Sequence, residues 1–281
     1  MPFDYLLVHG AYHNSAHWAK LIAALSARGD RVVALDLPGH GMNARFPSGY
    51  FVPGQPGLSG EPSPIKDVTL EVAAHAVIDA LRSFGQTAPV VLVAHSMGGA
   101  VATLAAELAP ELVDHLVYVA AFVPTRLPTA AAYLTLDEAK TRLGGGLHLG
   151  DPTVTGAVRI NPRSADTAYL EQLRAAYYTD VSTTDFLPYL NALTPDQPMS
   201  FVTSRAGATA ARWGGIPRTY LRCAADRAIP LALQDVFISD ADALTPRNPF
   251  RLATLDTGHA PFASQPGKLA EVLLALPAVS G

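Results

Sequence analysis

The sequence predicts an α/β protein in which a mostly parallel sheet is covered by helices on both faces. Short, almost wholly apolar runs alternate along the chain with segments of helical periodicity, which is typical of a parallel sheet buried on both sides. Of the 281 residues, 49% are hydrophobic and only 16% are charged, so the chain can fill a large core. The predicted strands cover residues 5–8, 31–35, 90–94, 115–120, 218–223 and 250–255.

Helical patterns follow most of these strands, and the clearest of them begins at Thr69, a favourable N-cap.

Two regions interrupt the alternation of strands and helices. Residues 37–67 are rich in proline and glycine, and they form either a tolerated surface insertion or a functional, mobile loop. Residues 125–212 carry helical patterns of their own, and we predict that they form an inserted helical cap on a core made of residues 1–124 and 213–281. The predicted helices cover residues 18–27, 69–84, 98–108, 166–178, 231–237 and 268–276.

Composition argues against several classes of function. The formal net charge is -4 and there is no basic run, so nothing indicates binding to nucleic acid or to an anionic membrane surface. The longest apolar run, residues 116–123, is too short to span a bilayer. The N-terminus lacks the basic and apolar regions of a signal peptide, and Cys223 is the one cysteine, so no internal disulfide is possible. We therefore expect a soluble cytoplasmic protein that acts on a small molecule.

Residues 90–100 read Val-Val-Leu-Val-Ala-His-Ser-Met-Gly-Gly-Ala, which predicts a buried strand, a sharp turn and the start of a helix. This is the context of a nucleophile elbow, in which a strained turn holds a serine at the end of a strand. Small residues are needed two positions to either side of the serine. Gly98 meets that need, and Ala94 stands where glycine is usual. Ser96 is therefore the predicted nucleophile, and the positive end of the following helix would face it.

A His-Gly turn follows the first predicted strand, in the run LLVHGAY. Such a turn can direct a backbone N–H at a developing oxyanion, and preorganised donors of this kind are worth about 3–4 kcal/mol each. We predict an oxyanion hole formed by the backbone N–H groups of Ala11 and Met97. His9 is expected to orient the loop rather than carry a proton. His13 and His17 could line the pocket, although a surface or packing role is favoured for each.

The run Leu-Asp-Thr-Gly-His-Ala-Pro-Phe comes after the last predicted strand and contains His259. Its place late in the chain, on a loop at the end of a strand, lets the imidazole reach back to the serine, so His259 is the predicted general base. The other histidines lack such a context. His95, beside the predicted nucleophile, is expected to be packed, and His148 and the rest are expected to cap, pack or lie at the surface.

The acid that orients the base must lie between Ser96 and His259 in the chain, at the end of a strand. Asp226 follows a predicted strand closely and is the predicted acid. Asp256 is the next candidate, while Asp240 and Asp242 have a helical or post-helical context and are less suitable.

Taken together, these motifs resemble those of one family. His-Gly-Ala after the first strand, Asp-Leu-Pro-Gly-His-Gly at residues 36–41, His-Ser-Met-Gly-Gly, Cys-Ala-Ala-Asp before Ile-Pro, and Gly-His late in the chain occur in its order. The chain resembles the α/β-hydrolase superfamily, closest to the small-esterase branch of plant-type methylesterases, hydroxynitrile lyases and bacterial carboxylesterases. The resemblance covers residues 3–124 and 213–276 and implies the α/β-hydrolase fold. The lyases of this branch have a hydroxyl residue where this chain has Gly10 and a lysine where it has Ala260, which argues against cyanohydrin cleavage.

The predicted function is that of a serine esterase, in which Ser96, His259 and Asp226 cleave a hydrophobic carboxylic ester through an acyl-enzyme. This chemistry needs neither a metal nor a cofactor. Apolar and aromatic residues are frequent in residues 125–212, so we expect a bulky, hydrophobic ester or lactone rather than a charged metabolite or a peptide. Lactone opening, thioester hydrolysis, C–C cleavage and a hydrolase-like binding protein without turnover stay open as alternatives, as does the oligomeric state.

Overall fold

Six parallel strands form the central sheet of the computed structural model, which describes residues 3–85 and 88–277. The strands of the chain are β1 (Asp4–Val8), β2 (Arg31–Leu35), β3 (Val90–His95), β4 (His115–Val119), β5 (Ala157–Arg159), β6 (Asp196–Pro198), β7 (Arg218–Cys223) and β8 (Arg251–Leu255). Across the central sheet the order is β2-β1-β3-β4-β7-β8, whereas β5 and β6 pair with each other in antiparallel fashion. The six predicted strands are confirmed, each to within one residue at either end.

The helices lie between the strands, as the periodicity predicts. The α-helices of the described residues are α1 (Ala19–Ser26), α2 (Leu70–Ser83), α3 (Gly98–Leu108), α4 (Ala130–Tyr133), α5 (Pro152–Thr155), α6 (Thr167–Tyr177), α7 (Thr183–Ala192), α8 (Met199–Thr203), α9 (Leu231–Leu244), α10 (Pro261–Ser264) and α11 (Pro266–Leu274). Helix α9 extends beyond its predicted end, because Ile238 and Ala241 continue its buried face. Over residues 3–85 and 88–277, no helix combines the length and the apolar character needed to cross a bilayer.

The edge strands differ from the inner strands in burial. Every residue of β1, β3 and β4 is buried, whereas β2 and β8 expose Arg31, Val33, Arg251 and Leu252. The prediction that each strand is buried on both faces is therefore wrong for β2 and β8. Both lie at an edge of the sheet, where the covering helices protect them less and one side has no neighbouring strand.

Alternate side chains of the inner strands pack into two separate cores. Leu6 and Leu92 point to the face covered by α2, α3 and α9, while Leu7 and Val93 point to the face covered by α1 and α11. Because both faces are covered, a cleft can open only at the ends of the strands.

Residues 125–212, called the insert below, lie between β4 and β7 in the chain and contain α4 to α8 and the β5–β6 pair. A buried ion pair links these two short strands, because the Arg159 guanidinium donates to both oxygens of Asp196 at 2.6 and 2.8 Å. Arg159 also donates to the carbonyl oxygens of Leu58 and Glu61. The same side chain thus fastens the proline- and glycine-rich loop to the insert.

Candidate active site

Ser96 lies in the turn between β3 and α3, at the carboxyl end of the sheet. Its φ of 52° is in the left-handed region, which is strained for a residue with a side chain. The two positions that follow Met97 after this turn have no room for a side chain. A Cβ at Gly98 would collide with the carbonyl oxygen of His9, and a Cβ at Gly99 would collide with that of Phe122. The glycines after the serine therefore permit a backbone crossing that larger residues would block.

Backbone hydrogen bonds hold this strained turn. The Ser96 N–H donates to the Val119 carbonyl oxygen at 3.3 Å, and the Ser96 carbonyl oxygen accepts from the N–H groups of Gly99 and Phe122, both at 3.0 Å. The partners come from β4, the loop after it and the first turn of α3. The central sheet thus determines where the serine stands, which is how a strained conformation persists.

His259 follows β8 and is buried, and its imidazole contacts Asp226 with 2.7 Å between Nδ1 and Oδ2. A carboxylate oxygen only accepts hydrogen bonds, so in the neutral ring Nδ1 carries the proton and Nε2 is the basic nitrogen. On the other side, His95 donates from Nε2 to the His259 carbonyl oxygen at 2.8 Å. His95 is packed as expected, and it also fastens the loop that carries His259.

Asp226 lies in the turn after β7, and both of its oxygens have partners. While Oδ2 contacts His259, Oδ1 accepts from the backbone N–H groups of Ala228 and Ile229 at 2.7 and 2.9 Å. These backbone donors orient the carboxylate. The local turn therefore aims a carboxylate oxygen at the imidazole.

The competing carboxylates are engaged elsewhere or exposed. Asp240 pairs with Arg126 at 2.8 Å, Asp242 accepts a backbone N–H just before β8, and Asp256 is exposed. In the part of the chain that the structure describes, Asp226 is the carboxylate that contacts the His259 ring.

Ala11 and Met97 present two free backbone N–H groups near Ser96. Neither group donates a hydrogen bond within the described residues, and both residues line the same cavity as the serine. His13 fixes the first of them, since its Nδ1 donates to the Ala11 carbonyl oxygen at 2.6 Å. The turn also approaches the serine closely, because a Cβ at Gly10 would lie 2.7 Å from the Ser96 Cβ.

Several buried histidines pack behind this site. His9 has the orienting position expected of it, with Nδ1 donating to the Gly10 carbonyl oxygen at 2.8 Å and Nε2 accepting from the Leu37 N–H at 3.1 Å. Burial lowers the pKa of His9 to about 3 and the pKa of both His17 and His40 to about 4. These rings are therefore neutral near pH 7. Within the described residues, no three histidine, cysteine or acidic side chains are grouped so that they could hold a metal ion.

A cavity of about 120 Å³ opens over Ser96 and His259. The core and the insert both contribute to its wall, and most of the side chains are apolar. The lining residues are Ala11, Tyr12, His13, Ser96, Met97, Phe122, Leu134, Arg142, Gly144, His148, Val158, Tyr177, Gln197, Val202, Ala228, Ile229 and His259. The loop at 37–67 contributes none of these residues, so it supports the insert and does not form the wall.

Ser96 and His259 share this cavity without a direct hydrogen bond between them among the described residues. Such bonds are commonly long in unliganded enzymes and shorten when a substrate is bound. The structure brings these two residues together with Asp226 and the Ala11 and Met97 N–H groups at one end of the sheet. The catalytic roles of all five stay predictions.

The sequence does not show which polar residues of the insert line the wall. Arg142, His148, Tyr177 and Gln197 come from the insert, and His13, for which a place in the pocket was left open, comes from the loop after β1. Residue types alone indicated that the insert is rich in aromatic residues with a few basic ones, but no periodicity in its loops shows which side chains point inward. The expectation of a hydrophobic substrate without charge is incomplete, because Arg142 lies in the wall.

A parallel sheet with a serine elbow, an acid and a histidine at the ends of its strands defines the class of α/β hydrolases. The alpha/beta hydrolase family matches residues 5–272 of this chain. The chain belongs to that family.

Relatives refine the assignment. Methylesterase 9 of Arabidopsis thaliana is 28% identical, with 96% of each chain covered. A pyrethroid hydrolase of Sphingobium wenxiniae is also 28% identical, over 96% of this chain and 86% of the relative. A crystal structure of a pyrethroid hydrolase, 24% identical, superimposes with a TM-score of 0.76 over 98% of this chain and 96% of that one, which confirms the fold. The predicted esterase branch is confirmed, and the chain is a carboxylic ester hydrolase.

Proposed function

We propose that the chain hydrolyses a hydrophobic carboxylic ester through an acyl-enzyme formed on Ser96. The observation that carries this proposal is the 2.7 Å hydrogen bond between His259 and Asp226, at the cavity that also contains the strained serine. The three side chains follow three strands of one sheet, and acyl transfer by a serine needs a nucleophile, a base and an orienting acid in this relation.

In the first step, Ser96 Oγ attacks the ester carbonyl carbon while His259 Nε2 takes the hydroxyl proton. The tetrahedral intermediate then collapses and expels the alcohol, which receives that proton from His259. Water attacks the resulting acyl-enzyme with His259 again as the base, and release of the acid restores the serine hydroxyl. Asp226 keeps the imidazole in the required tautomer and stabilises the imidazolium in both steps without taking the proton.

The negative charge of each tetrahedral intermediate would be bound by the N–H groups of Ala11 and Met97. Neither N–H has another partner among the described residues, which supports this role, since a donor already used elsewhere could not stabilise an oxyanion. Two such donors would contribute about 3–4 kcal/mol each to the stability of the transition state. The N-terminus of α3 points its positive end at the same place.

The insert, residues 125–212, would act as a cap over a core of residues 1–124 and 213–281. Leu134, Val158 and Val202 of the insert line the cavity, which supports a mainly apolar substrate. The relatives are named as a methylesterase and a pyrethroid hydrolase, and such names favour a small-molecule ester. Binding to nucleic acid is not part of the proposal, and a cytoplasmic location stays a prediction.

The test uses p-nitrophenyl acetate and a fluorophosphonate probe. An esterase should release a burst of p-nitrophenol close to one equivalent, followed by sustained turnover, and the probe should label Ser96 alone. A hydrolase-like binding protein would give little or no turnover. Because the same groups could open a lactone or cleave a thioester, both should be assayed beside a series of esters of increasing apolar size.

A further inference from the structure

Several polar side chains of the cavity wall take no part in the proposed mechanism, Gln197 and His148 among them. Three of these side chains are Arg142, Tyr12 and Tyr177. Within the part of the chain that the structure describes, none of the three makes a hydrogen bond to another side chain or to the backbone. They are available to a ligand in the cavity.

The charge of Arg142 is uncompensated. The guanidinium is partly buried, and no carboxylate of the described residues lies within ion-pairing distance of it. Two carboxylates act on the tyrosines of this wall, but both already have partners: Asp226 is bound to His259, and Asp196 is bound to Arg159. The Arg142 guanidinium therefore has no carboxylate partner among the described residues, and a carboxylate of the substrate could pair with it.

Tyr12 and Tyr177 stand beside this charge. Their ring centroids are 6.2 Å apart, and the Tyr177 ring is 6.1 Å from the His259 ring. Burial raises the pKa of both hydroxyls, against the weaker opposing effect of Arg142, so both remain protonated donors at neutral pH. Tyr12 has a positive φ of 67°, and its carbonyl oxygen accepts from the Thr194 N–H at 2.8 Å, which fixes the residue against the insert.

From this convergence we infer that Arg142, Tyr12 and Tyr177 form a carboxylate-binding subsite, and that the substrate is an apolar ester that also carries a free carboxylate. A guanidinium pairs with both oxygens of a carboxylate, and phenol hydroxyls can donate to the same oxygens. Since most of the remaining wall is apolar, the ligand has one charged end and an apolar body. The inference rests on the proposed ester hydrolysis and adds a substrate class to it.

The test compares substrates that differ in one group. One is the p-nitrophenyl half-ester of a medium-length dicarboxylic acid, and the other is the ester of the matching ω-amide. Wild type should have the higher kcat/KM for the half-ester, and Arg142→Met should lower the ratio of the two values about ten- to a hundredfold. Arg142→Lys should keep part of the ratio. A second pair, with the carboxylate or the amide on the alcohol side, covers the opposite orientation of the substrate.

The matched control is Lys140→Met, which removes the same charge from an exposed side chain that is paired with Asp137. The ratio in this variant should equal the wild-type ratio. If wild type shows no preference for the carboxylate in either pair, or if Arg142→Met leaves the ratio unchanged, the inference is wrong while ester turnover still supports the proposed function. If no ester is turned over at all, it is the proposed function that fails.

A binding measurement covers the case in which Arg142→Met does not fold. A medium-chain carboxylate should inhibit hydrolysis of a neutral ester by wild type more strongly than the corresponding amide, with an inhibition constant lower by about tenfold or more. Equal inhibition by the two compounds overturns the inference without any variant.

Discussion

The carboxyl edge of the central sheet and the insert hold their functional groups in different ways. At the sheet edge, Ser96, Asp226 and His259 each follow a strand within four residues, and hydrogen bonds from backbone groups fix the turns around Ser96 and Asp226. In the insert, short helices and two short strands are joined by loops, and the buried contact of Arg159 with Asp196 ties them together. The first region is positioned mainly by backbone hydrogen bonds, whereas the second also depends on a buried ion pair between side chains.

This difference suggests that the two regions have separate tasks. A sheet edge tolerates little movement, so it suits groups that must meet a reacting carbon within a fraction of an ångström. An insert held by side chains can change its wall while the sheet beneath it stays the same. Substitutions at the sheet edge should therefore change kcat most, and substitutions in the insert should change KM and stability most.

The largest effect is expected from Ser96→Ala, which removes the predicted nucleophile and leaves the turn intact. Turnover should fall on the order of 10⁴-fold or more, with an unchanged free energy of unfolding. Steady-state assays and urea denaturation measure the two quantities. Substantial remaining activity, with fluorophosphonate label on another residue, would place the chemistry outside the sheet edge.

Asp226→Asn should follow, with kcat lower by about 10³- to 10⁴-fold, because an amide favours the wrong tautomer of His259. Asp256→Asn is the matched control, since it makes the same change at an exposed carboxylate in the turn after β8. Its kcat should be close to that of wild type. The opposite result for the two variants would assign the orienting acid to Asp256.

Arg159→Met tests the insert. It leaves the buried Asp196 without a partner and should reduce the free energy of unfolding by about 3–5 kcal/mol. KM should rise more than kcat falls, because the wall of the cavity loosens. Arg82→Met is the control, since Arg82 belongs to an exposed pair on α2, and its stability should be nearly that of wild type. A loss of kcat as large as that of Asp226→Asn would contradict the division of tasks.

The smallest effect per residue is expected when the buried histidines are protonated at acidic pH, which lowers the free energy of unfolding. Burial holds the pKa of His9 at about 3 and that of His17 and His40 at about 4, whereas imidazoles of the unfolded chain titrate near 6.5. Below about pH 6.5 the unfolded state therefore binds more protons, and stability falls as the pH falls. Each such histidine should lower the free energy of unfolding by about 1.4 kcal/mol per pH unit until its folded pKa is reached.

Urea unfolding at pH 7, 6 and 5 measures this loss. Because His17 and His40 pack against Tyr189 and Phe201 of the insert, acid should weaken the core and the insert together. Hydrogen exchange resolved by segment can follow the two regions separately. A free energy of unfolding that does not change over this range, or an insert that opens first, would show that the buried rings do not control acid stability.

The sequence predicts the core sheet and the residues at its edge better than it predicts the insert. The inner strands are recognisable because burial on both faces requires apolar runs, and the turn residues around Ser96 and His259 are local signals. The edge strands were misread as fully buried. Val33 and Leu252 are 42% and 52% exposed although their runs look like the others, and composition does not record the order of strands in a sheet.

The wall of the cavity was the least predictable part. Arg142 lies in a loop without periodicity, so its direction depends on packing between the insert and the core. His13 and His148 both line the cavity, and no pattern of neighbours distinguishes them from the other histidines, although a place in the pocket was left open for His13 and His148 is exposed as expected. The buried contact of Arg159 with Asp196 joins residues far apart in the chain and leaves no local signal.

The close approach of Gly10 to the serine bears on how new activities could arise in this scaffold. A side chain at this position would begin 2.7 Å from the Ser96 Cβ and 2.9 Å from His95 Nδ1. A single substitution that adds a side chain here would therefore displace the serine elbow or the His95 ring. An evolutionary or designed route to a new activity through this position must change the elbow and the turn together, and variants altered at Gly10 alone should be poor esterases.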